Sequence, residues 1–251
     1  APGAHIENSA VTLESVDFVG TDSGNALAIF GAKSSAPVRI IDCEIENYAL
    51  AIHLEGDVDD LESQPVLIEQ SHLHATTAIE ANTLGFIVYG GEIDGLIDLM
   101  ALEKAWSATV VNIDVPTVSI TGEARLYAGY DWEINVVDAQ GNAVSSPVSF
   151  GVQVSEFDPV LGYQALNFVN PEIIQIISRV YSESGVTDVQ FAEWSISVPN
   201  YLPQSGQLVL DTSGQRVLTI EVAPNQNPVI TIIKPLEGSE MNAGNTLEFN
   251  A

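Results

Sequence analysis

Apolar positions repeat along the first half of the chain. Five octapeptides align without gaps: "VTLESVDF" (11–18), "VRIIDCEI" (38–45), "VLIEQSHL" (66–73), "FIVYGGEI" (86–93) and "ATVVNIDV" (108–115). Their third position is Leu13, Ile40, Ile68, Val88 and Val110, and their eighth is Phe18, Ile45, Leu73, Ile93 and Val115. Position five holds Ser15, Asp42, Gln70, Gly90 and Asn112, each small or polar. Such residues suit a bend between two short strands. Start-to-start spacings of 27, 28, 20 and 22 residues match one coil of a repeating β structure. A second apolar run follows each octapeptide: "ALAIF" (26–30), "ALAIH" (49–53), "TTAIE" (76–80) and, more loosely, "GLIDL" (95–99). A single coil cannot bury its own inner face. The coils are therefore expected to stack, with "ALAIF" and "ALAIH" one above the other.

This pattern resembles the right-handed parallel β-helix, the fold of pectate lyases and of many surface proteins with degenerate "VxIxxCxI"-type repeats. The resemblance covers roughly residues 5–122 and implies a first domain over 1–122. Lyases, epimerases, adhesins and spacers share that fold, so it implies no particular activity.

Beyond Thr121 the period disappears. "YDWEINVVDAQGNAVSSPVSFGV" (130–152) reads as two strands around a turn at Gly141-Asn142. "EWSISVPNYLPQSGQLVLDTSGQRVLTIEV" (193–222) reads as three more. These segments resemble the small immunoglobulin-like sandwich related to the carboxypeptidase regulatory domain, placing a second domain over 123–223. In archaeal and bacterial surface proteins such a module often follows a β-helix. One stretch departs from the β pattern. "NPEIIQIISRVYSESG" (170–185) has Asn170 to cap, Pro171 at the first turn, an apolar stripe of Ile173, Ile176, Ile177, Val180 and Tyr181, and Gly185 at its end. That predicts one amphipathic helix packed on the sandwich. Residues 224–251, with "PVITIIKP" as a first strand, resemble the incomplete start of a further immunoglobulin-like or polycystic-kidney-type repeat. The expected class is thus mainly β: a short right-handed parallel β-helix plus an immunoglobulin-like sandwich with one inserted helix. The chain starts at Ala1 and stops just as a strand pattern begins, so we expect an interior piece of a longer polypeptide.

Composition sharpens the functional picture. Apolar residues make up 46% of 251, a globular content. Thirty-four Asp and Glu against seven Lys and Arg leave a formal charge of −27. Nucleic acid is excluded as a partner by that sign, and anionic membrane surfaces are disfavoured. No apolar run is long enough for a membrane span. Such self-repulsion is tolerated where salt screens it, which points to a saline, extracellular or cell-surface setting. Cys43 is the only cysteine, so no intrachain disulfide or cysteine-based zinc site exists. It aligns with Val16, Ser71, Gly91 and Ile113 as a small core residue.

Position seven of the octapeptides carries the candidate chemistry: Asp17, Glu44, His72, Glu92 and Asp114. It falls between inward positions and should face outward, so stacking would line these residues up into a cation-attracting row. The acidic loop "EGDVDDLE" (55–62) offers Asp57, Asp59 and Asp60 as calcium ligands, without the glycine and final Glu of an EF-hand. Ca2+ is the one cofactor considered. Strand alternation puts His72 and His74 on one face and His53 on another strand, so the three are not expected to form a zinc site. Trp132 and Trp194 lie in sandwich strands and read as core. A lyase of the resembled fold pairs calcium-binding acids with a basic residue over one cleft. The helix region offers only Lys33, Arg39, Lys104 and Arg125, and Arg39 has no basic neighbour in adjacent coils. The favoured reading is a non-catalytic structural or adhesive segment of a secreted or cell-surface protein: a spacer, filament or surface-layer component. Its expected partners are other copies of itself, other surface proteins or neutral glycans. A carbohydrate-binding or carbohydrate-active β-helix is the alternative.

Overall fold

The computed structural model describes residues 3–7, 9–31, 38–56, 65–154, 163–210 and 216–225. The described residues are mainly strand and contain no helix. A large mixed sheet holds most of the chain, and a four-stranded antiparallel sheet holds the rest.

The repeat is built as parallel ladders. Strands β2 (Thr12–Glu14), β5 (Arg39–Ile41), β7 (Val66–Asn82) and β8 (Phe86–Val111) align Leu13, Ile40, Ile68 and Val88 at octapeptide position three. Strands β3 (Asp17–Val19) and β6 (Glu44–Glu55) join β7 and β8 to align Phe18, Ile45, Leu73 and Ile93 at position eight. Four octapeptides therefore pair in the register that the sequence alignment predicts. A third ladder passes through β1 (Ala4–Glu7), β4 (Asn25–Phe30), β6, β7, β8 and β9 (Val118–Val137). It aligns Ile6, Ile29, Leu54, Ala81, Leu99 and Ile120. Ile40, Ile45, Leu54, Ile68 and Leu73 are fully buried, each worth roughly 1.5–3 kcal/mol on removal from water.

The bend at position five is present in all five segments. Ser15, Asp42, Gln70, Gly90 and Asn112 have φ of 52, 51, 50, 65 and 58°. Left-handed backbone turns the chain without ending the ladder, and short polar side chains or glycine tolerate it best. At position six, Ser71 is buried, and its hydroxyl accepts from the Cys43 amide at 3.1 Å. Cys43 is 2% exposed, the small core residue expected. "ALAIF" and "ALAIH" do lie on neighbouring strands, but two residues out of the expected register: Leu27 opposes Ile52, not Leu50. A slip of two preserves the strand alternation, so the same face stays inward.

The two cores share one strand. β9 pairs with β8 as far as Gly129, and its Leu126 belongs to the first core. The same strand then places Trp132, Ile134 and Val136 in the second core. Residues 122 and 123 thus lie inside β9. Its other neighbours are β12 (Glu172–Ser182), antiparallel, and β16 (Val217–Glu221), parallel. β13 (Gly185–Asp188) follows β12 at the sheet edge. The second sheet runs β11 (Tyr163–Phe168), β10 (Val148–Gln153), β14 (Phe191–Ser197), β15 (Gln204–Val209). Val148, Phe150, Ile196 and Leu208 pack from it against Trp132, Ile134, Ile174 and Ile220 of the large sheet.

The predicted helix over 170–185 is absent; the segment forms β12 and β13. Its β-branched residues also satisfy a period of two, with Ile174, Ile176 and Val180 buried. β9 needs an antiparallel partner beyond the parallel stack, and this segment supplies it. Ser178 is the extra residue of this strand: the ladder shifts register between Ile177 and Arg179. Asn170 does not cap a helix. Its side chain accepts from the Val136 amide and donates to the Val136 carbonyl, both at 2.8 Å, extending the ladder by one rung. Around Gly141, the two predicted strands form but do not pair with each other: β9 and β10 belong to different sheets. The Asp138 carboxylate accepts from the amides of Gln140 and Asn142, closing a tight turn that redirects the chain between layers.

Asn112 ties the last bend to β9. It donates to the Asp131 carboxylate at 2.9 Å and accepts from the Asp131 amide at 2.9 Å, while the Tyr89 hydroxyl donates to the same carboxylate. That hydrogen bond, with burial and the Asp131 charge behind it, raises the Tyr89 pKa above the ordinary tyrosine value. A raised folded-state pKa means the stabilisation is complete below the unfolded value and is lost as pH rises through the folded one. Tyr89→Phe is expected to lower stability near neutral pH by about 1 kcal/mol, the pair being part-exposed. It should also flatten the loss of stability above about pH 10. Urea titrations across pH would show both. A second expectation contrasts two left-handed glycines. A Cβ at Gly91 would collide with the Ser71 backbone, whereas one at Gly141 meets nothing within 4 Å. Gly141→Ala should cost about 1–2 kcal/mol, the conformational term alone. Gly91→Ala should cost clearly more, and equal midpoints would contradict the ladder packing.

Candidate functional site

Strand alternation and register bring Asp17, Glu44, His72 and Glu92 into one line across β3, β6, β7 and β8. All four are exposed. Inside them run Val16, Cys43, Ser71 and Gly91, and beyond them the apolar position eight, which is why the acids are held outward. A parallel second line contains Glu46, His74 and Asp94, with His74 Nδ1 3.7 Å from an Asp94 carboxylate oxygen. The His72 and His74 rings lie 6.3 Å apart on this face.

The line is not a continuous row of acids. Asp17 and Glu44 are direct neighbours, whereas His72 separates Glu44 from Glu92. Neighbouring strands sit about 4.8 Å apart, so the Asp17–Glu44 pair repels by about 1 kcal/mol in unscreened water. Asp114 is exposed at the same position of the fifth segment, but it faces the second core. It lines a cleft there, and its charge acts on Tyr130. Asp57, Asp59 and Asp60 lie outside the described residues. Among the described residues, no three His, Cys, Asp or Glu side chains converge as metal ligands. No helix among them is long and apolar enough to cross a membrane.

Arg39 sits between Thr12 and Leu67 as the alignment predicts, and its guanidinium pairs with Glu69 at 2.6 Å. His53 occupies a different strand from His72 and His74. Its Nδ1 is 2.8 Å from a Glu80 oxygen and its Nε2 3.5 Å from Glu55. Phe30 lies between the His5 ring at 4.9 Å and the His53 ring at 5.5 Å. Trp132 is buried in the second core, and Trp194 packs against it over Gly206. Trp106 donates to the Met100 carbonyl at 2.8 Å.

The cleft beside Asp114 was not legible in the sequence. It has a volume of about 530 Å3 and opens where β9, β12, β13, β14 and β15 meet. Arg179 is its cation. The guanidinium donates to Asp188 and, at 3.4 Å, to the Tyr181 hydroxyl, and these bonds raise its pKa above the ordinary arginine value. Arg216 covers one face of the Tyr130 ring, 3.7 Å from its centre. Burial first, then the Asp114 charge, raises the Tyr130 pKa, so its hydroxyl stays protonated well into the alkaline range. Residues that build this cleft are separated by up to 96 positions (210 − 114). Of its lining the sequence singled out Asp114, as a member of the acidic row, while the expected helix placed Arg179 and Tyr181 elsewhere.

Fold and sites define a mainly β protein with an acidic ladder face and an amphipathic cleft between two cores. No family model matches the chain, and neither curated proteins nor solved structures give a match.

The ladder predicts a salt response. At low ionic strength Glu44→Gln should raise stability by about 1 kcal/mol, and the gain should vanish near ~1 M NaCl, where the screening length is about 3 Å. Glu92→Gln, insulated by His72, should gain less. Thermal melts of the three proteins across salt would check this; no difference at low salt would remove the repulsive pair.

Proposed function

We propose that this chain is a non-catalytic structural segment of a secreted or cell-surface protein. In this reading the stacked segments are a short right-handed parallel β-helix that serves as a rigid spacer or adhesive face. The second core is an immunoglobulin-like module that carries the spacer to its neighbour. The observation that supports it most is β9, one strand that contributes to both cores without an intervening linker. A spacer must transmit force and orientation, and a shared strand flanked by β8, β12 and β16 does this through hydrogen bonds along its length. The acidic outer lines support a salt-rich extracellular setting.

The reading predicts that the two cores unfold together. Calorimetry should give one cooperative transition with matching calorimetric and van't Hoff enthalpies. Two transitions separated by more than about 10 °C would overturn the rigid-spacer role. Turnover of any polysaccharide that disappears in Glu44→Gln or Glu92→Gln would overturn the non-catalytic one.

A further inference from the structure

We infer that the cleft between the two cores is a binding site for a neutral saccharide. This goes beyond the spacer role and does not depend on it. The volume, about 530 Å3, lies within the range of small-ligand sites, which favour the seams between packed units.

The chemistry of the lining selects the ligand class. Asp114 and Asp188 offer carboxylate acceptors, and Gln190 offers an amide that both donates and accepts. Arg179 is held in place by Asp188 and Tyr181, two bonds that use only part of its five-donor fork. Carboxylate, amide and guanidinium groups of this kind can exchange paired hydrogen bonds with vicinal hydroxyls. At the rim, Phe191 is 43% exposed and its register partner Val209 is 58% exposed. What sets this pair apart from the chain's other exposed apolar residues is that both line the cleft, where they offer an apolar face to a ligand. A sugar ring combines both features: a C–H face for Phe191 and a rim of hydroxyls for the polar wall. Charge acts against an anion: the two carboxylates outnumber Arg179, which is already paired with Asp188, and the chain as a whole carries −27.

The test is saturation-transfer NMR on the whole chain, with cellobiose, maltose, lactose and digalacturonate as the probes. We expect at least one neutral disaccharide to bind with a dissociation constant below about 10 mM, and digalacturonate to bind at least about tenfold more weakly. Phe191→Ala, an exposed position, should weaken the neutral ligand by about tenfold with an unchanged melting temperature. Arg179→Lys should do the same by losing the fork. No transfer to any neutral disaccharide, equal binding of digalacturonate, or full affinity in a folded Phe191→Ala protein would each overturn the proposal. Should Arg179→Lys unfold the chain, Phe191→Ala still decides.

Discussion

Parallel register is the constraint on which this structure rests. Each segment of the first half is too short to cover its own apolar face, so it is stable only against the segment before and after it. Ile6, Ile29, Leu54, Ala81, Leu99 and Ile120 form one such ladder, and slipping any segment by a single residue would turn its apolar set outward. The two-residue slip between "ALAIF" and "ALAIH" is tolerated for the same reason: it moves every side chain but changes no face. Left-handed residues at position five let each segment bend while its ladder continues.

Electrostatics follows from that packing. Alternation holds Asp17, Glu44, His72 and Glu92 outward because their neighbours on either side are needed inside. Charges that a free chain would keep apart are thereby fixed at inter-strand spacing. The protein accepts this where the row is interrupted, by His72 and His74 between acids and by Arg39 against Glu69. Three of the few cations have specific structural places: Arg39 against Glu69, Arg179 in the cleft and Arg216 on Tyr130.

The parallel stack must also end somewhere, and β9 and β12 solve that problem. β12 covers the last parallel strand from the far side, placing Tyr181 in the first core and Ile174 and Ile176 in the second. The Tyr89–Asp131–Asn112 bonds fasten the final bend to the strand that leaves it. The cleft arises from this change of layer. It is bounded by strands that belong to different partners, so no single element forms it.

The local pattern by itself determined the repeat, its inward positions, its bends and the outward line of acids. Each depends on a period of two and on residue types at fixed offsets, and both are written in neighbouring positions. The register of four octapeptides and the burial of Cys43 were legible for that reason. Segment 170–185 was not. Its isoleucines satisfy a period of two as well as a helical stripe, and only the open edge of β9 chose between them. The separation of β9 and β10 into different sheets, the shared strand and the cleft were decided the same way. They depend on which surfaces remain uncovered after the stack has formed, a property of the folded whole that no window of sequence contains.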